Sequence, residues 1–203
     1  MNSDVTISVL AGGNRIEGNP TDSLIKIGGK QHIEILTGRL LNNFSNVTVV
    51  TDEDMRLKWK NVTVLRDVFS GAGPMAGIHT ALEHSSTEKN IIVCISQPFI
   101  SNEFLKFLAE YENEDNITVT SEFGKIQPFP GIFRKKNLPV VKTILETNEQ
   151  IPGTSELLQM RNFVTAMDAE IIEVGYRQFY HSKLFLNFNI SEDFEALKNY
   201  TVN

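Results

Sequence analysis

The chain has little of what would commit it to a membrane, an oxidising compartment or nucleic acid. A single cysteine, Cys94, occurs among 203 residues, so no intrachain disulfide can form and the composition suits a reducing compartment. No apolar run approaches the roughly 20 residues of a membrane span. Residues 1–6 lack the basic start and apolar stretch of a secretory signal. These absences predict a cytoplasmic protein with no membrane partner. Positive charge is also scarce: 19 Lys and Arg against 25 Asp and Glu leave a formal charge of -6. Non-specific nucleic-acid binding needs a net basic footprint, so nucleic acid is excluded as a partner, while a local basic pocket for a phosphate ligand is not. The four histidines, His32, His79, His84 and His181, have no metal-ligand spacing and read as core or surface residues. No internal repeat or low-complexity tract is present.

What is there is an ordinary globular composition, 41% hydrophobic and 22% charged, in a chain long enough to bury about 70% of its unfolded surface. Short β-branched runs alternate with segments of helical spacing. Strands are predicted at residues 5–10, 24–27, 47–51, 62–65, 91–95, 117–120, 132–133, 163–166 and 171–174. Helices are predicted at 30–41, 75–84, around Phe104, Phe107 and Leu108, and at 138–145, 155–160 and 192–198. The run at 91–95 is continuously apolar, as a strand covered on both faces requires. Residues 121–130 are rich in turn formers and read as a boundary between two halves. The alternation argues for one three-layer α/β/α domain over residues 1–203 with a mostly parallel sheet.

In such a sheet ligands bind beyond the carboxyl ends of the strands. The first strand runs into Leu10-Ala11-Gly12-Gly13-Asn14-Arg15. Two consecutive glycines let the backbone approach a ligand and turn its N–H groups toward a phosphate or a purine edge. Asp67 follows a strand and precedes Gly73-Pro74-Met75-Ala76-Gly77; Ser96-Gln97-Pro98 follows the buried strand. Further motifs are Leu24-Ile25-Lys26-Ile27-Gly28-Gly29-Lys30, Gln127-Pro128-Phe129-Pro130-Gly131 and the Asn187-Phe188-Asn189 segment.

Taken in this order, the motifs resemble the molybdenum cofactor guanylyltransferases, nucleotidyltransferases with a Rossmann-like α/β/α fold. The resemblance implies transfer of GMP from GTP to the terminal phosphate of molybdopterin, or a related phosphorylated small molecule, with release of pyrophosphate. It also implies a magnesium cofactor and partner proteins of cofactor delivery. By the resemblance, Leu10, Ala11 and Gly12 meet the guanine through main chain, and Gly13 and Asn14 face the phosphates. Asp22 and Ser23 belong to the nucleotide side, Arg15 supplies a phosphate cation, and Asp67 lies near the ribose or the metal. Ser96 stands with Asp67 at the metal, and Asn187 and Asn189 line the acceptor side.

The same resemblance exposes departures. Glu17 stands where the family carries an arginine, Ser23 where it carries a lysine and Ser96 where it carries a metal-binding aspartate. A carboxylate about 4 Å from a phosphate costs about 4 kcal/mol at an effective dielectric of 20. A second reading follows: a homologue that keeps the fold and binds a nucleotide or a partner without catalysis. A sugar-nucleotide or terpenoid-type cytidylyltransferase would lose the same residues. Lys26 and Lys30 read as an exposed strand residue and a first-turn helix residue. Cys94 reads as inert core.

Overall fold

The computed structural model describes residues 2–12, 26–27, 30–52, 61–69, 72–112, 116–147 and 156–187. Strand β1 (Asn2–Leu10) leads to a small antiparallel pair, β2 (Lys26–Ile27) and β3 (Lys30–Gln31), and to helix α1 (His32–Leu41). Then come β4 (Phe44–Thr51), β5 (Val62–Arg66), α2 (Pro74–His84), β6 (Lys89–Cys94) and α3 (Asn102–Glu110). The chain continues through β7 (Ile117–Glu122), β8 (Lys125–Arg134), a 3-10 turn, α4 (Leu138–Thr147), α5 (Glu156–Ala166) and β9 (Glu170–Glu173).

Seven strands form one sheet in the order β5-β4-β1-β6-β8-β7-β9. β1 pairs in parallel with β4 and β6, β4 with β5, and β7 with β9. Only β8 runs against its neighbours. The sheet is therefore mostly parallel, as predicted. The chain moves outward from β1 to β5 and then returns to lay β6 on the other side of β1, so the order reverses between β1 and β6.

Side-chain alternation along β1 explains the layers. Val5, Ile7, Val9 and Ala11 join one core with Ile33, Leu36 and Leu40 of α1 and Phe104, Leu105 and Leu108 of α3. Leu10, with Val50 and Ile92, faces the opposite core, with Met75, Ile78 and Leu82 of α2, Val141 of α4 and Phe163 of α5. Helix starts are specified locally. Ser101 caps α3 by accepting from the Phe104 amide at 3.1 Å, and Pro74 opens α2 where its missing N–H costs nothing.

Three sequence readings are corrected. Residues 163–166, read as a strand from Phe163 and Val164, are the last turn of α5; Met160, Phe163 and Val164 are buried together at helical spacing. Residues 121–130 are not a boundary: they form the β7–β8 hairpin, turning at Phe123 and Gly124. Lys30 is exposed in β3, ahead of a helix that begins at His32. The helix predicted at 192–198 lies outside the described residues.

Gly131 shows why one motif needs glycine. A Cβ there would stand 2.6 Å from the Pro128 carbonyl oxygen and 3.0 Å from the Phe133 ring. Neither the backbone nor the buried ring can retreat cheaply. Gly131→Ala is expected to lower stability by about 1–3 kcal/mol, read as a lower urea midpoint at unchanged m-value; an unchanged midpoint would refute this packing argument.

Candidate functional site

The carboxyl ends of the four parallel strands β5, β4, β1 and β6 present Asp67, Asp52, Gly12 and Ser96 side by side. The register sets them level. Leu10 pairs with Val50 on one side and Cys94 on the other, and Val50 with Leu65; Gly12, Asp52, Asp67 and Ser96 each lie two residues beyond that row.

At the centre, the sheet consumes the first two residues of the predicted nucleotide turn. The Ile95 amide donates to the Leu10 carbonyl at 2.9 Å, and the Ala11 amide donates to the Val50 carbonyl at 2.8 Å. The Thr51 hydroxyl faces the Ala11 carbonyl at 3.5 Å. Leu10 and Ala11 are buried, whereas Gly12 is exposed. The Leu10 carbonyl and the Ala11 amide are thus engaged within the sheet, and Gly12 is the first exposed residue of the predicted turn. A Cβ on Gly12 would stand 2.9 Å from Asp52 Oδ1, so the missing side chain lets Asp52 lean over the end of β1.

Helix α2 explains the spacing of the Gly-Pro-Met-Ala-Gly motif. Gly73 takes a φ of 62°, open to glycine, and Pro74 starts the helix. One turn later Gly77 meets Leu10, whose Cδ2 would be 2.8 Å from an added Cβ. The helix therefore seats directly on the end of β1.

Asp67 is a perturbed acid of this half of the edge. Burial raises its pKa above the ordinary carboxylate value; the Asp52 charge adds to the rise and a hydrogen bond with Thr80 opposes it. The Thr80 hydroxyl also accepts from the Val68 amide at 3.3 Å, which fixes its rotor toward the acid. Asp67 Oδ1 is buried and has no hydrogen-bond partner among the described residues.

The sheet order separates the two predicted metal ligands. Asp67 and Ser96 stand at the ends of β5 and β6, three strand spacings or about 14 Å apart. They do not fit one magnesium ion, whose oxygen ligands lie at about 2.0–2.1 Å. Among the described residues no group of three or more His, Cys, Asp or Glu side chains comes together as a metal site. Asp52, which sequence reasoning passed over, is instead the carboxylate beside Asp67 and Gly12; its signal was the position directly after a strand next to β1.

Beyond β6, Ser96 and Gln97 are both buried. Gln97 Nε2 donates to the Phe129 carbonyl at 3.0 Å, which ties β6 to the proline-rich part of β8. Its Oε1 is buried without a partner among the described residues. Asn187 is half-buried just after the Leu184–Phe185 pair that packs on the α1–α3 core. Gly13, Asn14, Arg15, Asp22, Ser23 and Asn189 lie outside the described residues. The histidine reading holds: His32 and His79 are buried, His84 and His181 exposed. Burial, helped by the Arg39 charge, holds His32 down to about 4 and so neutral.

Gly12 at a topological switch point, an acidic pair on one side and a helix seated on the first strand define a ligand-binding edge of a mostly parallel α/β sheet. The model of the MobA-like NTP transferase domain family matches residues 7–162, and the chain belongs to that family. It is 32% identical over 198 residues to "Probable molybdenum cofactor guanylyltransferase" of Carboxydothermus hydrogenoformans, covering 96% of this chain and 95% of that one. A protein of the same name from Flavobacterium johnsoniae is 26% identical, with 95% and 96% covered. Among solved structures, molybdopterin-guanine dinucleotide biosynthesis protein A of Archaeoglobus fulgidus superposes with a TM-score of 0.72 at 17% identity, over 94% of this chain and 95% of that one. The 2-C-methyl-D-erythritol 4-phosphate cytidylyltransferase of Thermus thermophilus gives 0.65 at 14% identity, over 95% and 96%. No helix among the described residues is long and apolar enough to cross a membrane.

Proposed function

We propose that the chain transfers GMP from GTP to the terminal phosphate of molybdopterin. An oxygen of that phosphate attacks the α-phosphorus, the bond from the α-phosphorus to the bridging oxygen breaks, and pyrophosphate leaves. The observation that carries the reading is the half-buried Asp67 carboxylate beside Asp52 and Gly12 on the nucleotide side of the switch point. Guanine presents an adjacent ring N–H and amino group, a donor pair that a carboxylate accepts and that cytosine and adenine do not match. The names of the relatives in Carboxydothermus and Flavobacterium support the same acceptor chemistry.

In this reading Gly12 and Gly13 turn backbone N–H groups toward the phosphates, with Asn14, Asp22 and Ser23 nearby, and Arg15 supplies the positive charge that Glu17 and Ser23 withhold. Catalysis is then positioning and electrostatic stabilisation at the α-phosphorus. Asp52 would hold a magnesium ion together with the substrate phosphates, and the ion would stabilise the charge that develops at the α-phosphorus. Asn187 and Asn189 belong to the acceptor side, and the product passes to proteins that insert the cofactor.

The buried Ser96, in the position of a family aspartate, favours one second reading: a nucleotide-binding homologue without catalysis. One experiment separates the two. The protein is incubated with α-labelled GTP, magnesium and molybdopterin, and labelled dinucleotide and pyrophosphate are followed. Product above background supports transfer. A GTP-dependent rise in Tm without product supports binding alone. No rise with any nucleotide overturns both.

A further inference from the structure

The other half of the same edge carries an exposed aromatic group in a conformation that costs free energy. β7 is parallel to β6 and β1 through the intervening antiparallel β8, so its carboxyl end faces the same way. Ile91, Ile132 and Thr118 share one row, as do Ile91 and Ile7. Five residues on from Ile7, Ile91 and Thr118 lie Gly12, Ser96 and Phe123, so Phe123 stands level with the nucleotide turn. Three strand spacings separate them, about 14 Å.

Phe123 has a φ of 48° in a two-residue turn with Gly124 at 81°. Hairpin turns of this kind favour Asn or Gly at that position, and a bulky side chain there is strained. The surroundings hold it in place. Glu173, from β9, accepts from the Phe123 amide at 3.1 Å, the Gly124 amide at 3.0 Å, the Gly175 amide at 2.7 Å and the Ser121 hydroxyl at 2.9 Å. These bonds, those from Gly124 and Gly175 first, hold the Glu173 carboxyl down to about 2. Gly175 has no side chain because a Cβ would stand 2.9 Å from the Phe123 ring. Tyr180 donates to Glu122 at 2.8 Å and meets Phe123 edge-on at 5.4 Å between centroids. Tyr176 meets it at 5.3 Å. Despite this support Phe123 remains 58% exposed and Tyr176 82%.

Core packing does not explain a strained, clamped Phe123 that stays exposed beside an exposed Tyr176, whereas ligand recognition does. We propose that Phe123 and Tyr176, whose rings stand at 82° to each other, form an aromatic corner for the planar ring system of the phosphorylated acceptor, one ring stacking on its face and the other meeting its edge. This rests on the transferase reading above. The acceptor would lie along the edge with its phosphate at the β1–β6 switch point and its rings toward the end of β7. Gln97, at the end of β6 between these two positions, ties β6 to β8 beneath the acceptor through its bond to the Phe129 carbonyl. The occupant is a fused heterocycle that bears a phosphomonoester; a ring-free phosphate would gain nothing from the corner.

The test is steady-state guanylylation of molybdopterin by the full chain with Tyr176→Ala, Phe123→Ala and Phe123→Trp. Loss of one stacking partner is expected to raise KM for molybdopterin about tenfold, with KM for GTP unchanged and Phe123→Trp close to the parent. Tyr176→Ala removes a ring that is 82% exposed and meets Phe123 edge-on, so a Tm within a few degrees of the parent's is expected and the fold is not at issue. Unchanged KM for molybdopterin in both alanine variants overturns the aromatic corner while leaving the transferase reading intact. Equal loss toward GTP and molybdopterin also overturns it, in favour of a structural role. Failure of the unaltered protein to guanylylate or bind molybdopterin removes the transferase reading, and the aromatic corner with it.

Discussion

Asp67→Asn is expected to lower GTP affinity about ten- to hundredfold and to raise the melting temperature of the ligand-free protein. The first effect is the loss of a charge-assisted pair of hydrogen bonds, about 1.5–3 kcal/mol: an amide oxygen accepts one guanine donor while its NH2 group opposes the other. The second follows from the raised pKa. Burial, with the Asp52 charge beside it, makes ionisation of Asp67 harder in the folded chain than in the unfolded one. The unfolded state therefore holds fewer protons on this group, and its contribution to stability is present at low pH and lost as pH rises through the folded pKa. At neutral pH the ionised group destabilises the fold, and the neutral amide relieves that. GTP affinity should run the opposite way, falling on acidification at a pH above the ordinary carboxylate range because the acceptor becomes protonated. Calorimetric titration with GTP across pH, beside thermal melts of both proteins, checks both signs. Equal GTP affinity in the two proteins would remove Asp67 from base recognition; a lower Tm in the variant would show that the carboxylate is satisfied within the fold.

A site acid that weakens its own fold is a familiar compromise between stability and function. It also explains why Thr80 is placed as it is. Its hydroxyl both hydrogen-bonds Asp67 and accepts from the Val68 amide, so the acid is steadied without being neutralised.

The layering was legible because it rests on local periodicity. The alternation along β1 and the 3–4 spacing of Ile33, Leu36 and Leu40 each identify one buried face. Where composition was ambiguous, length misled. Phe163 and Val164 have strand-forming side chains, but they continue a helix that starts at Glu156 and buries Met160, Phe163 and Val164. The turn residues of 121–130 mark a hairpin because two-residue turns use the same residue types as linkers. In the site, the order of motifs along the chain gave Gly12, Asp67, Ser96 and Gly77. It could not give adjacency, which depends on β6 returning past β4 and β5 to the far side of β1. That crossover parts Asp67 from Ser96, while the β1–β4 pairing brings Asp52 to Gly12. Phe123 was invisible for a similar reason: its φ of 48° and its Glu173 clamp arise from a strand 50 residues away.

Ser96→Asp is expected to weaken GTP binding without magnesium and to raise guanylyl transfer with it. Ser96 lies level with Gly12 on the strand next to it and is 3% exposed. No cluster of acids among the described residues holds a metal there. A carboxylate introduced at that point faces the triphosphate of a nucleotide seated on the glycine turn. Without a divalent ion the two negative groups repel, by about 4 kcal/mol per charge pair at 4 Å and an effective dielectric of 20, and GTP affinity should fall. With magnesium the same carboxylate becomes a ligand shared with the phosphates. A transition-state contact of this kind is worth about 10²–10³ in rate where it is preorganised. The cost of burying the new charge takes back part of that, which leaves a gain of about ten- to hundredfold in kcat/KM for guanylyl transfer. Measuring GTP affinity in EDTA and in magnesium, and transfer to molybdopterin in magnesium, tests both halves. Weaker GTP binding in both conditions would mean that the end of β6 faces the phosphates but cannot hold an ion between. Unchanged binding in both would mean that the triphosphate lies elsewhere on the edge, and that Ser96 is packing beneath it.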